Sequence, residues 1–90
     1  MLVDIDEVKE YLRVDHKDED NLLNNLILSA EQLCCDVLRV DELPKDDGVV
    51  QSAVYYAVGY LYENRGPAAD IVDLTNMLKS LLSGRRKEVF

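Results

Sequence analysis

"EDNLLNNLILSAEQLCCDVLR", residues 19–39, is the stretch that decides the fold. Leu22, Leu23, Leu26, Ile27, Ala30, Leu33, Cys34, Val37 and Leu38 recur at intervals of three and four, the spacing of one helix face. Asn24, Asn25, Glu31, Gln32 and Asp36 take the other side. The pattern predicts an amphipathic helix over about 19–39. Asp18, Glu19 and Asp20 suit its start, where carboxylates meet the positive end of the helix dipole.

On its N-terminal side "RVDHKDED", residues 13–20, reads as a polar connection. Before it, Asp4 followed by Glu7 forms a capping box, and Ile5, Val8 and Leu12 share one face. These predict a helix over about 4–12, too short to stand alone in water, which must therefore dock on the rest of the chain.

On the C-terminal side, "VDELPKDDG", residues 40–48, breaks the pattern. Pro44 disfavours helical geometry at Leu43, and Asp46 or Asp47 can cap a following helix. That helix, "VVQSAVYYAVGYLYEN", has a stripe of Val50, Ala53, Val54, Ala57, Val58 and Leu61, with Tyr55, Tyr56, Tyr60 and Tyr62 over much of the remainder. A helix apolar nearly all round is buried on more than one side, and one side of this one is expected to face another subunit. Gly59 in its middle costs about 1 kcal/mol against Ala, which points to a close helix approach.

"YLYENRG", residues 60–66, ends that helix in Glu63, Asn64 and Arg65 before Gly66 and Pro67. Such side chains serve enzymes, but here they read as a closing helical turn placed to bond its own end or a neighbouring subunit. The rigid donor fork of Arg65 suits a fixed bidentate contact to a carboxylate. A fourth helix follows, capped by Asp70, with a stripe of Ile71, Leu74, Met77, Leu78, Leu81 and Leu82. Gly84 stands where a left-handed C-terminal residue is expected, with Arg85 and Arg86 beyond it at the negative end of the dipole. No segment alternates as a strand does. The expectation is an all-α fold, one small domain over residues 1–90 of two long helices with a short N-terminal and a moderate C-terminal helix.

The chain has 90 residues, 48% of them apolar, enough for one core. No apolar run approaches the roughly 18 residues of a membrane span, and the acidic start "MLVDIDEVKE" does not read as a secretory signal, so the protein is expected to be cytosolic where it is made. Cys34 and Cys35 are the only cysteines; on a helix they point about 100° apart, and without a second pair they form neither a disulfide framework nor a four-ligand zinc site. A small-residue core role is the expected one. His16, the lone histidine, sits among Asp15, Lys17 and Asp18 and reads as a solvated loop residue. No phosphate loop, nucleophile elbow or calcium-loop spacing occurs, so no catalytic residue, cofactor or metal is assigned.

The net charge of −8 is unevenly spread: residues 1–48 carry −9 and residues 49–90 carry +1. Such a chain mostly repels DNA, although "KSLLSGRRKEVF" is locally basic. No helix is basic enough to read the major groove. The alternative reading that shares the charge is a small acidic helical regulatory or adaptor protein, DNA mimics included; a DNA mimic would spread carboxylates along exposed helix faces, whereas here they gather at helix starts and loops.

In order, "DIDEVKEYLRVD", "DEDNLLNNLILSAEQLC", "QSAVYYAVGYLYENRG" and "LTNMLKSLLSGRR" resemble the small head–tail connector proteins of long-tailed phages and prophages, a family also associated with DNA packaging. The resemblance covers nearly the whole chain and departs at Thr75 and Arg85, where members often carry proline and a Pro-Tyr-Arg ending. It implies a structural virion protein without cofactors, made in the host cytoplasm and placed at the head–tail junction. It further implies a homo-oligomeric ring below the portal that extends the DNA channel and docks later connector or tail proteins. DNA would pass without sequence-specific binding along an acidic wall, and no membrane is involved. The subunit-interface candidates are Tyr55, Tyr56, Tyr60, Glu63, Arg65, Arg85, Arg86 and Lys87. The basic tail is expected to reach an acidic segment of the next subunit, Asp15 to Asp20 or Asp41 to Asp47.

Overall fold

The structure, a computed structural model, describes residues 3–15, 17–64 and 71–84. Among the described residues four helices follow in order: α1 (Ile5–Leu12), α2 (Asp20–Leu38), α3 (Gly48–Glu63) and α4 (Ile71–Leu81). No strand occurs among the described residues, and the fold is all-α as the periodicity requires.

Local chemistry sets most helix ends. The Asp4 carboxylate accepts from the Asp6 N–H while Glu7 accepts from the Asp4 N–H, closing the capping box that opens α1. Asp47 is the cap of α3, its Oδ1 accepting from Val49 at 3.0 Å and Val50 at 3.4 Å. Glu19 precedes α2 without a side-chain cap bond. The Asp70 cap lies outside the described residues, as does His16.

Three helix ends were not foreseen in the sequence. Gly84 does not take the left-handed conformation; the chain runs on through right-handed turns, with Leu82 N–H donating to Leu78 O at 2.9 Å. Left-handed geometry falls instead on Arg13 and Arg39, both at φ 60°, closing α1 and α2. Each must reverse the chain within a residue so that the next segment returns to the core, and the sequence supplies no glycine there.

α2 packs along α3, and both α1 and α4 pack on this pair without a close backbone approach to each other. The core is built from α2 (Leu23, Ile27, Ala30, Cys34, Val37, Leu38) and α3 (Val50, Ala53, Val54, Ala57, Val58, Leu61), closed by Val8 from α1 and Leu74, Leu78 and Leu82 from the α4 end. Of the predicted α2 stripe, Leu26 is only half-buried, whereas Leu23 and Ile27 are fully buried. Along α4 and the turn after it the buried line is Leu74, Leu78, Leu82, spaced by four, so Ile71, Met77 and Leu81 flank it and stay exposed. Gly59 faces Tyr11 and Leu12 of α1, as a close approach requires, yet a methyl there would meet Tyr11 Cε2 at 3.4 Å, an ordinary contact that leaves room for alanine.

Docking α1 takes polar ties as well as Val8, because eight residues bury little. Lys9 Nζ meets Asp20 Oδ1 at 2.7 Å, and the Val3 N–H donates to Glu31 Oε2 at 3.2 Å. The partly exposed ion pair contributes about 0–1 kcal/mol, so it orients α1 more than it holds it.

Candidate assembly surface

The side of α3 away from α2 carries the tyrosines, and their hydroxyls point to neighbouring elements. Tyr55 donates to Glu7 Oε2 of α1 at 3.1 Å, and its ring stacks on Tyr11 with centroids 5.3 Å apart and 23° between planes. Partial burial, then the bond to Glu7 and the charges of Glu7, Asp4 and Glu10, push the Tyr55 hydroxyl above its ordinary pKa. Tyr56 donates to the Met77 sulfur of α4 at 2.9 Å, and Tyr62 to Glu19 Oε1 at 2.7 Å. Tyr60 packs half-buried against the core. Its carbonyl accepts from both the backbone N–H and the side-chain amide of Asn64, at 2.9 and 3.0 Å. Asn64 thus closes α3 on itself, the architectural role expected of this turn.

Because the backbones of α1 and α4 do not approach closely, an open cleft of 650 Å³ lies between them over the first half of α3, walled by Tyr11, Asp47, Val49, Tyr55, Tyr56 and Leu81. A second cleft, of 500 Å³, continues along α3 past Tyr11 and Tyr56 to Tyr60, Tyr62 and Glu63. At the other end of α3 and α4, Leu26, Leu28, Leu33, Leu61 and Ile71 line a separate apolar cleft of 510 Å³. Tyr11 and Leu81 are 53% and 47% exposed in the first cleft, and Leu28 and Ile71 are 55% and 46% exposed in the last, so each cleft shows solvent a pair of large apolar side chains. α3 begins and α4 ends at the first cleft, whereas α3 ends and α4 begins at the last. The two apolar surfaces therefore sit at opposite ends of one antiparallel helix pair.

The family model for phage gp6-like head-tail connector protein matches residues 2–82. The chain belongs to that family. No curated protein and no solved structure gives a match. A head–tail connector is a structural component of the phage particle that meets portal and tail proteins. The chemistry of the surface suits protein contact: apolar clefts rimmed by tyrosines that offer both a ring and a hydroxyl.

Of the interface candidates in this connector chain, Tyr55, Tyr56 and Tyr60 are half-buried along the first two clefts, and Glu63 is exposed at the far end of the second. Arg65, Arg85, Arg86 and Lys87 lie outside the described residues. Sequence reasoning missed Tyr11 and Leu28. Leu28 carried a signal: it is a large apolar residue off the buried stripe of α2, where a polar one belongs.

Neither cysteine contributes a reactive site. Burial first, then the neighbouring Cys35 and Glu31, push the Cys34 thiol up to about 12, so it stays protonated in the core. Among the described residues no group of three or more His, Cys, Asp or Glu is placed to hold a metal, and no helix is long and apolar enough to cross a membrane.

Proposed function

We propose that this connector chain assembles with copies of itself into a ring below the portal, extends the DNA exit channel and presents a docking surface for later connector or tail proteins. The observation that carries this reading is the pair of separate apolar clefts at opposite ends of α3 and α4. A ring requires a heterologous contact, in which two different faces of each subunit meet and the rotation closes. One face is the cleft with Tyr11, Val49 and Leu81, and the other is the cleft with Leu28, Leu33 and Ile71. Glu7, Glu19 and Asp47 are bonded to tyrosines or helix N–H groups, which fits this reading better than a DNA mimic with freely displayed carboxylates.

The test uses two variants, each with a charge on one exposed face: Leu28→Asp and Leu81→Asp. The parent, alone or with portal, is expected at a mass several times its 10.2 kDa. Each variant alone should stay monomeric, and an equal mixture should give dimers only, because one sound face of each remains. Variants that assemble like the parent, or a parent that is monomeric even with portal, would sink the ring.

A further inference from the structure

The apolar cleft with Leu28 and Ile71 does not stand alone. Leu28 and Gln32 also belong to an adjoining cleft of 570 Å³ between α2 and the 41–45 loop, lined by Glu31, Cys35, Asp41, Glu42, Leu43 and Lys45. The Cys35 thiol registers the local charge: after burial, Asp36, Glu31, Asp41 and Glu42 all push its pKa up. The surface is thus one groove with an apolar floor at one end and, at the other, a wall in which three carboxylates outnumber the single Lys45, joined across Leu28. Its complement is a short segment that is basic at one end and apolar at the other.

This chain contains such a segment. "RRKEVF", residues 85–90, places Arg85, Arg86 and Lys87 before Val89 and Phe90. We propose that the groove receives residues 85–90 of a second copy, the three basic residues along Asp41, Glu42 and Glu31, and Val89 and Phe90 over Leu28, Leu33 and Ile71. Two observations favour a second copy over the same chain, and the tail's length permits it. α4 ends beside Leu81, at the opposite end of the helix pair from this groove. Gly84 takes no left-handed, chain-reversing conformation and has no neighbour within 4 Å of where a side chain would sit, so the exit is unobstructed. Six residues span at most about 20 Å, enough to cross to a neighbour packed against α4.

The inference rests on the ring reading, in which the Leu81 end of one subunit meets the Leu28 end of the next. The tail would then leave its own subunit where the neighbour's groove begins. The charges steer and orient the contact, and the apolar residues hold it.

The experiment is a charge swap in the full chain, read as oligomer mass by light scattering at low and high salt. Reversal of the tail (Arg85→Glu, Arg86→Glu, Lys87→Glu), or of two exposed wall residues (Asp41→Lys, Glu42→Lys), should weaken assembly about tenfold at low salt. Both sets combined in one chain should restore it. A photo-cross-linker at position 90 should attach to Leu28, Leu33 or Ile71 of another copy. If the parent assembles but the combined chain is no better than either set alone, or the cross-link falls within one chain, this docking is overturned while the ring stands. If the parent stays monomeric with portal present, the ring reading fails as well.

Discussion

The Tyr62 hydroxyl donates to Glu19 across 2.7 Å, joining the last turn of α3 to the residue that precedes α2. Glu19 has no side-chain cap bond to α2, so its carboxylate is turned to the tyrosine. Tyr62→Phe removes a hydrogen bond to a charged acceptor and should cost about 1 kcal/mol. Urea unfolding measures it, and a double-mutant cycle with Glu19→Gln isolates the pair; a cycle with no coupling would show the bond contributes nothing.

Arg13 and Arg39 hold φ at 60°, a conformation in which a Cβ is crowded and glycine is not. Arg13→Gly and Arg39→Gly should each stabilise the fold by about 0.5–1 kcal/mol, and Arg39→Val should destabilise it. Thermal melts of the three variants decide. Loss of stability in both glycine variants would mean that the arginine side chains contribute more than the backbone strain costs.

Leu23 is fully buried, whereas Leu26 is only half-buried on the same helix. Leu23→Asp should leave the chain unfolded, since a lone charge in a marginally stable core has no compensation. Leu26→Asp should fold and lose roughly 1–2 kcal/mol. Circular dichroism of the pair is sufficient. Equal effects would contradict the placement of the core.

Cys34 is protonated in the folded chain up to about pH 12, against an ordinary value of 9.0. An unfolded chain therefore releases its proton first, and from about pH 9 upward the unfolded state holds fewer protons than the folded one. The contribution of this group is complete below pH 9 and declines as pH rises toward 12. The urea midpoint should fall between pH 9 and 11, and less so in Cys34→Ala. At pH 8 a thiol reagent should leave Cys34 unmodified until denaturant is added; rapid labelling of the native chain would place the thiol outside the core.

The four helices were legible in the sequence because helix formation is decided locally. The Asp4–Glu7 box, the Asp47 cap and the three-and-four spacing of Leu23, Ile27, Ala30 and Cys34 all act within a turn or two. The ends of α1 and α2 were less so: no residue at Arg13 or Arg39 advertises a left-handed turn, and the glycine that does, Gly84, does not make one. That choice depends on where each following segment must go. Periodicity also gives a helix face only to within about 100°, the angle between consecutive residues. Whether Leu23 or Leu26 is central, and whether Ile71 and Leu81 are covered, depends on how α2, α3 and α4 cross, which is set by the shapes of all three at once. The candidate assembly surface belongs to this second kind. Tyr55, Tyr56 and Tyr60 were legible as a side of α3, but the clefts exist because α1 and α4 stay apart and the helix pair is antiparallel, relationships between residues far apart in the chain.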